Sequence, residues 1–134
     1  MTLQVKRVYD PPDRNDGTRV LVDRIWPRGL SKETAALDEW LRECAPSDDL
    51  RKWFGHDKAK WAQFKRKYFA ELKDKGDMLE PLRKRAKTRR VTLLFGAADT
   101  ERNNAVALME FLTRTKPDAP RAKNERRASQ AKTP

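Results

Sequence analysis

Two short runs, Val20-Leu21-Val22 and Val91-Thr92-Leu93-Leu94-Phe95, place apolar side chains on almost every consecutive position. Such a run buries both faces of a strand at once, as happens when helices cover a parallel sheet. A sheet wetted on one face would alternate instead. The two runs therefore restrict this chain to an α/β arrangement. Leu3 to Tyr9 alternates roughly with period two and reads as a first strand, and Asp10 to Gly17 is dense in turn residues. Thr18 to Asp23 reads as the second strand. Leu37 to Cys44 fits helical spacing at Leu37, Trp40, Leu41 and Cys44, but the piece is short and Ala45-Pro46 closes it, which favours a strand.

The remaining segments carry helix signals. Ser31 can cap a short helical turn. Ser47-Asp48-Asp49 supplies an oxygen cap and two carboxylates at the positive end of a helix dipole, and Gly55 ends that helix. Asp57 caps the next, where Trp61, Phe64, Tyr68 and Leu72 form one stripe. A core-facing stripe is the favoured reading, and a base-stacking face is the alternative. Gly76 is expected to end this helix, with Asp77 and Glu80 as a capping box for another and Pro81 in its first turn. Thr100 is expected to cap a last helix that buries Ala105, Leu108, Met109 and Leu112. The expectation is one domain over residues 1–114: a three-layer-like, open, mostly parallel sheet flanked by helices.

Charge adds a second constraint. The chain has 134 residues and a net charge of +11, of which +5 falls between Arg114 and Pro134. That segment holds three prolines and almost no large apolar residue, so residues 115–134 read as a basic, disordered tail. The basic balance favours anionic partners: phosphorylated small molecules or nucleic acid. Cys44 is the single cysteine, which fits a reducing compartment. No apolar run approaches transmembrane length and Met1 to Tyr9 has no signal-like apolar stretch, so a cytoplasmic protein without a membrane partner is expected.

Open α/β sheets bind ligands beyond the carboxyl ends of their strands. Three segments lie there: Asp10 onward, Asp23 to Gly29, and Gly96 to Asn104. Val20 to Gly29 is the most unusual, because folding does not require an Asp, two Arg and a Trp at a strand mouth. Arg24 and Arg28 offer planar forks for phosphate or carboxylate. Asn103 and Asn104 can orient a ligand at a helix start, where backbone N–H groups also favour anions. Trp26 could stack on a planar group. The competing reading is a structural network in which Asp23, Arg24 and Arg28 brace the turn.

His56 is the only histidine and, with Asp23, a candidate for proton transfer; a local hydrogen-bonding role at the helix junction is the alternative. Cys44 as a nucleophile with His56 as base would need proximity that spacing does not supply, and a packed thiol is favoured. No second His and no Cys pair supports a metal site, and the only oxygen set, Asp10, Asp23 and Asp99, rests on carboxylates alone. No Walker loop or dinucleotide fingerprint is present, so neither metal nor cofactor is expected.

Taken together, VLVDRIWPRG over Val20–Gly29, Ala45-Pro46-Ser47, RKWFGHD over Arg51–Asp57, Trp61 with Phe64 and Tyr68, and Asn103-Asn104-Ala105 resemble one bacterial family. It is the domain of unknown function 488 family, the YeaO-like proteins, and the resemblance runs from about Leu3 to Leu112. It implies a small cytoplasmic α/β domain and brings no activity with it. Two departures stand out: Phe95 where the family usually has Tyr, and Arg102 where it usually has His. A catalytic His at position 102 would leave this chain impaired or reliant on His56, whereas an anion site would accept Arg102. The expected function is binding of a phosphorylated or nucleotide-like anion, with or without enzymatic activity. Arg24, Arg28 and Arg102 would hold the anion while Asp23, Asn103 and Asn104 orient it. The alternative is a nucleic-acid-binding accessory protein using the tail and the basic helix from Lys58 to Lys75.

Overall fold

The computed structural model describes residues 2–114, so the expected tail at 115–134 lies outside the described residues. Four strands, β1 (Leu3–Arg7), β2 (Thr18–Leu21), β3 (Glu39–Trp40) and β4 (Val91–Phe95), form one sheet in the order β1-β4-β2-β3. Every pairing is parallel, with Val5 opposite Leu93 and Val20 opposite both Leu93 and Glu39. β4 is central and buried along its whole length, as its apolar run requires. β3 is a two-residue edge strand, and the turn at Arg42–Cys44 takes the rest of the ambiguous segment.

The helices are α1 (Lys32–Ala35), α2 (Asp48–Phe54), α3 (Trp61–Lys73), α4 (Gly76–Thr88) and α5 (Asn104–Arg114). α2 to α5 pack on one face of the sheet around Val20, Val22, Val91, Leu93 and Phe95. The other face, carrying Leu21 and Leu94, is covered by α1 and the loop residues Trp26, Leu30 and Leu37. The stripe Phe64, Tyr68 and Leu72 is buried, with Trp61 half-buried at its end. Phe54 stacks on Phe64 with ring centroids 4.4 Å apart, and Trp61 stacks on Phe64 at 5.7 Å. This ladder fixes α2 against α3 largely by burial of aromatic surface. Two polar clamps add direction: Glu71 of α3 accepts the Ser47 hydroxyl at 2.6 Å, and Tyr68 Oη donates to the Cys44 carbonyl at 2.5 Å.

Several helix boundaries differ from expectation. Asp57 caps a 3-10 turn, Lys58–Lys60, that runs into α3, and no Asp77–Glu80 capping box opens α4, because Asp77 already lies inside its first turn. Gly76 starts α4 instead of ending α3, because its backbone does not enter the left-handed region and Asp74 already turns the chain. Pro81 consequently sits inside α4, beyond the first turn. Asn103, not Thr100, caps α5: its Oδ1 accepts the Val106 N–H at 2.9 Å. Asp99 has already taken the N–H groups of Glu101 and Arg102, forming the turn that precedes the helix.

The amino edge of the sheet holds a buried ion cluster. Asp16 accepts from Lys6 at 3.1 Å and from Arg19 at 2.5 Å. Arg19 spends further donors on the carbonyls of Ala35 and Ala36, so the cluster ties α1 to β2.

Candidate functional site

Past the last paired residues of β2 and β4 the chain leaves the sheet, and Val22 still bonds to the Leu94 carbonyl at 3.1 Å. The next residue, Asp23, therefore emerges beside Gly96. Its Oδ2 accepts the Gly96 N–H at 2.8 Å and its Oδ1 accepts the Asn104 amide at 2.9 Å. Asn104 also donates to the Val22 carbonyl at 2.8 Å, so one side chain at the amino end of α5 ties down both strand ends. Burial pushes the Asp23 carboxyl above the ordinary aspartate range. The Asn104 amide, the Gly96 N–H and nearby His56 pull it back without cancelling that burial.

These residues form one wall of a cavity of about 400 Å³. Phe54, Phe64 and Ala97 give it an apolar lining, and Asn103 and Asn104 bring the amino end of α5, with its partial positive charge, to its side. Arg51 and Lys52, from the last turn of α2, and His56 line it as well. His56 is exposed, follows Gly55, and adopts a left-handed backbone with φ of 59°.

The residues singled out in the sequence divide into two groups. Asp23, Arg24, His56, Asn103 and Asn104 line the cavity. Arg24 is half-buried and mostly committed: its guanidinium donates to the carbonyls of Pro46 at 3.0 Å and Ala45 at 3.2 Å. Asn103 is spent on capping α5. Trp26, Arg28 and Arg102 do not line the cavity. Pro27 and Gly29 carry the chain to the opposite face of the sheet, where Trp26 packs edge-on against Trp40 at 5.4 Å and donates to the Leu30 carbonyl. Arg28 is exposed, and its carbonyl accepts the Tyr9 hydroxyl. Arg102 lies 3.8 Å from Asp99 and 3.9 Å from Glu101.

Cys44 is buried with its Sγ 4.0 Å from Met78 Sδ, and it does not line the cavity with His56. Asp10 and Asp99 do not join Asp23 in the lining, and among the described residues no group of three or more His, Cys, Asp or Glu is placed to hold a metal ion. No helix among them is long and apolar enough to cross a membrane. In the sequence Arg51 and Lys52 read as ordinary charges on a helix. The available signal was their position in the RKWFGHD segment, directly before the loop that carries His56.

The family assignment follows from residues 2–131, which match the family described as the inactive DUF488-N3 subclade. The chain belongs to that family. It is 45% identical over 112 residues to the uncharacterised protein YeaO of Escherichia coli K12, covering 84% of this chain and 97% of YeaO. An uncharacterised protein of Mycobacterium tuberculosis H37Rv is 37% identical over 110 residues, covering 82% of this chain and 92% of the relative. No solved structure matches this chain. Of the two segments, RKWFGHD supplies Arg51, Lys52 and His56 to the cavity, whereas WPRG follows Asp23 and turns to the opposite face of the sheet.

Proposed function

We propose that this protein binds a phosphorylated, planar small molecule of nucleotide type in the cavity, without turning it over. The observation that carries this reading is the combination of an aromatic lining, Phe54 and Phe64, with the two cations Arg51 and Lys52 from one helix end. A volume of about 400 Å³ suits a ligand of that size. An apolar wall accepts a ring face, and the cations match a phosphate group. Asp23 and Asn104 add hydrogen-bonding edges that are already held in place by Gly96 and Val22.

Binding without turnover is supported by the description of the family as inactive. It also agrees with the chemistry of the lining, which includes neither Ser nor Cys. His56 is its one imidazole, and it sits on an exposed loop.

Thermal unfolding in the presence of nucleoside mono- and diphosphates, free nucleosides and inorganic phosphate tests the reading. A ligand at a hundred times its Kd should stabilise the fold by about 2.7 kcal/mol through mass action. Lys52→Ala should remove most of that shift while leaving the ligand-free Tm unchanged. If no compound raises the Tm, or Lys52→Ala and wild type respond alike, the cavity is not an anion site.

A further inference from the structure

On the other side of the last turn of α2 lies a second depression, lined by Trp53 together with Gln63, Arg66 and Lys67 of α3. No carboxylate lines it. Several cations of the fold are matched: Arg51 pairs with Asp48, Lys65 and Arg114 with Glu110, Arg85 with Glu39, and Lys6 and Arg19 with Asp16. Arg66 and Lys67 are exposed and, among the described residues, pair with no carboxylate. The Lys67 ammonium stands 5.1 Å from the centre of the Trp53 ring, and the Lys60 ammonium 5.0 Å. Lys60 also donates to the Trp53 carbonyl at 2.8 Å, which holds its charge at the end of α2. The nearby carboxylate of Glu71 is already taken by Ser47.

We propose that this groove docks a single-stranded nucleic-acid segment. Arg66, Lys67 and Lys60 meet successive phosphates, and an unstacked base rests at the Trp53 indole with the Gln63 amide within reach of its edge. The combination of a half-buried indole with unpaired cations on one short helix face selects the strand over other polyanions, since a base offers a ring to the indole and a phosphate to each cation. A duplex keeps its bases stacked inside and presents no ring to Trp53. The groove is separate from the cavity, so this inference stands independently of the small-molecule reading.

The test is anisotropy of a short labelled oligothymidylate titrated with the full chain over a range of salt. Arg66→Ala with Lys67→Ala should weaken binding about tenfold and reduce the slope of log affinity against log salt by about 1.4, for two phosphate contacts at about 0.7 each. Lys84→Ala with Lys87→Ala removes the same charge from α4, where both residues are exposed, and should change affinity less than about twofold. Trp53→Phe keeps the packing and should weaken binding at unchanged Tm. Equal losses in the two double variants, tighter binding of the matching duplex, or no binding at low salt would each overturn the proposal. The Arg66 and Lys67 variant should keep any nucleotide-induced Tm shift, which separates the groove from the cavity.

Discussion

Asp23 and Gly96 join the ends of two neighbouring strands through one hydrogen bond, the Gly96 N–H donating to Asp23 Oδ2 at 2.8 Å. A Cβ on residue 96 would lie 3.1 Å from that same oxygen, closer than most side chains allow. Glycine at position 96 is what lets the backbone reach the carboxylate, and the carboxylate in turn orients Asn104. The cavity wall therefore depends on a close approach between β2 and β4, which the parallel pairing of the two strands provides.

The raised pKa of Asp23 fixes the sign of its effect on stability. A carboxyl raised in the folded state contributes fully below its unfolded value, and that contribution is lost as pH climbs through the folded value. Asp23→Asn cannot ionise. The variant should therefore gain on the wild type as pH rises from about 4 toward neutrality. Urea denaturation across that range measures the difference, and a wild-type advantage that grows with pH would refute the assignment.

Asp16 acts in the opposite sense. Burial alone would raise its carboxyl, but the Asp13 N–H, Lys6 and Arg19 together outweigh burial and hold it below the ordinary range. Its contribution is complete above the unfolded value and disappears as pH falls through the lowered folded value. Asp16→Asn should cost about 3 kcal/mol at neutral pH by leaving the buried Arg19 without a counter-charge. The Ala35 and Ala36 carbonyls remain as partners for Arg19, which keeps the loss from being larger. The acid limb of the stability curve should flatten in this variant; a limb as steep as that of wild type would place acid sensitivity elsewhere.

Burial patterns made the fold readable before the site. The continuous runs of β2 and β4 and the Trp61–Leu72 stripe announce themselves because solvent exclusion acts on each residue in turn. Trp26 and Arg28 lie away from the cavity, a placement the sequence does not announce because strand ends alone do not say to which face a following loop turns. Here Pro27 and Gly29 send it away from α5 and toward Trp40. Asn103 and Thr100 are both able to cap, and the choice depended on Asp99 consuming the intervening N–H groups. Arg51 and Lys52 look like any other charges on an exposed helix, and only the position of α2 beside the strand ends distinguishes them.

Gly17 and Gly29 both hold positive φ, at 65° and 77°, yet they should respond very differently to alanine. At Gly17 a Cβ would lie 2.3 Å from the Arg90 carbonyl oxygen, whereas at Gly29 nothing lies within 4 Å. The first substitution combines backbone strain with a clash against a fixed main chain, and the second has strain alone. Gly29→Ala should cost about 1 kcal/mol and Gly17→Ala more than about 3 kcal/mol. Denaturant midpoints at constant m-value decide the comparison, and similar costs would mean that the β1–β2 loop yields easily.

His56 follows Gly55 in the left-handed region, with φ of 59° and 52° respectively. A side chain in that region costs about 1 kcal/mol relative to glycine, and histidine tolerates it better than most residues. Among the described residues no hydrogen bond to the imidazole offsets this cost. Its ring centre stands 6.1 Å from that of Phe54, at the edge of the cavity. This strain, at the rim of the cavity, gives a direct test of His56 in the proposed binding. His56→Gly should consequently be about 1 kcal/mol more stable than His56→Ala, since both lose the ring and only glycine relieves the backbone. Both variants should lose part of the nucleotide-induced Tm shift to a similar degree. Equal stability of the two would deny the strain, and wild-type ligand shifts in both would remove His56 from the site.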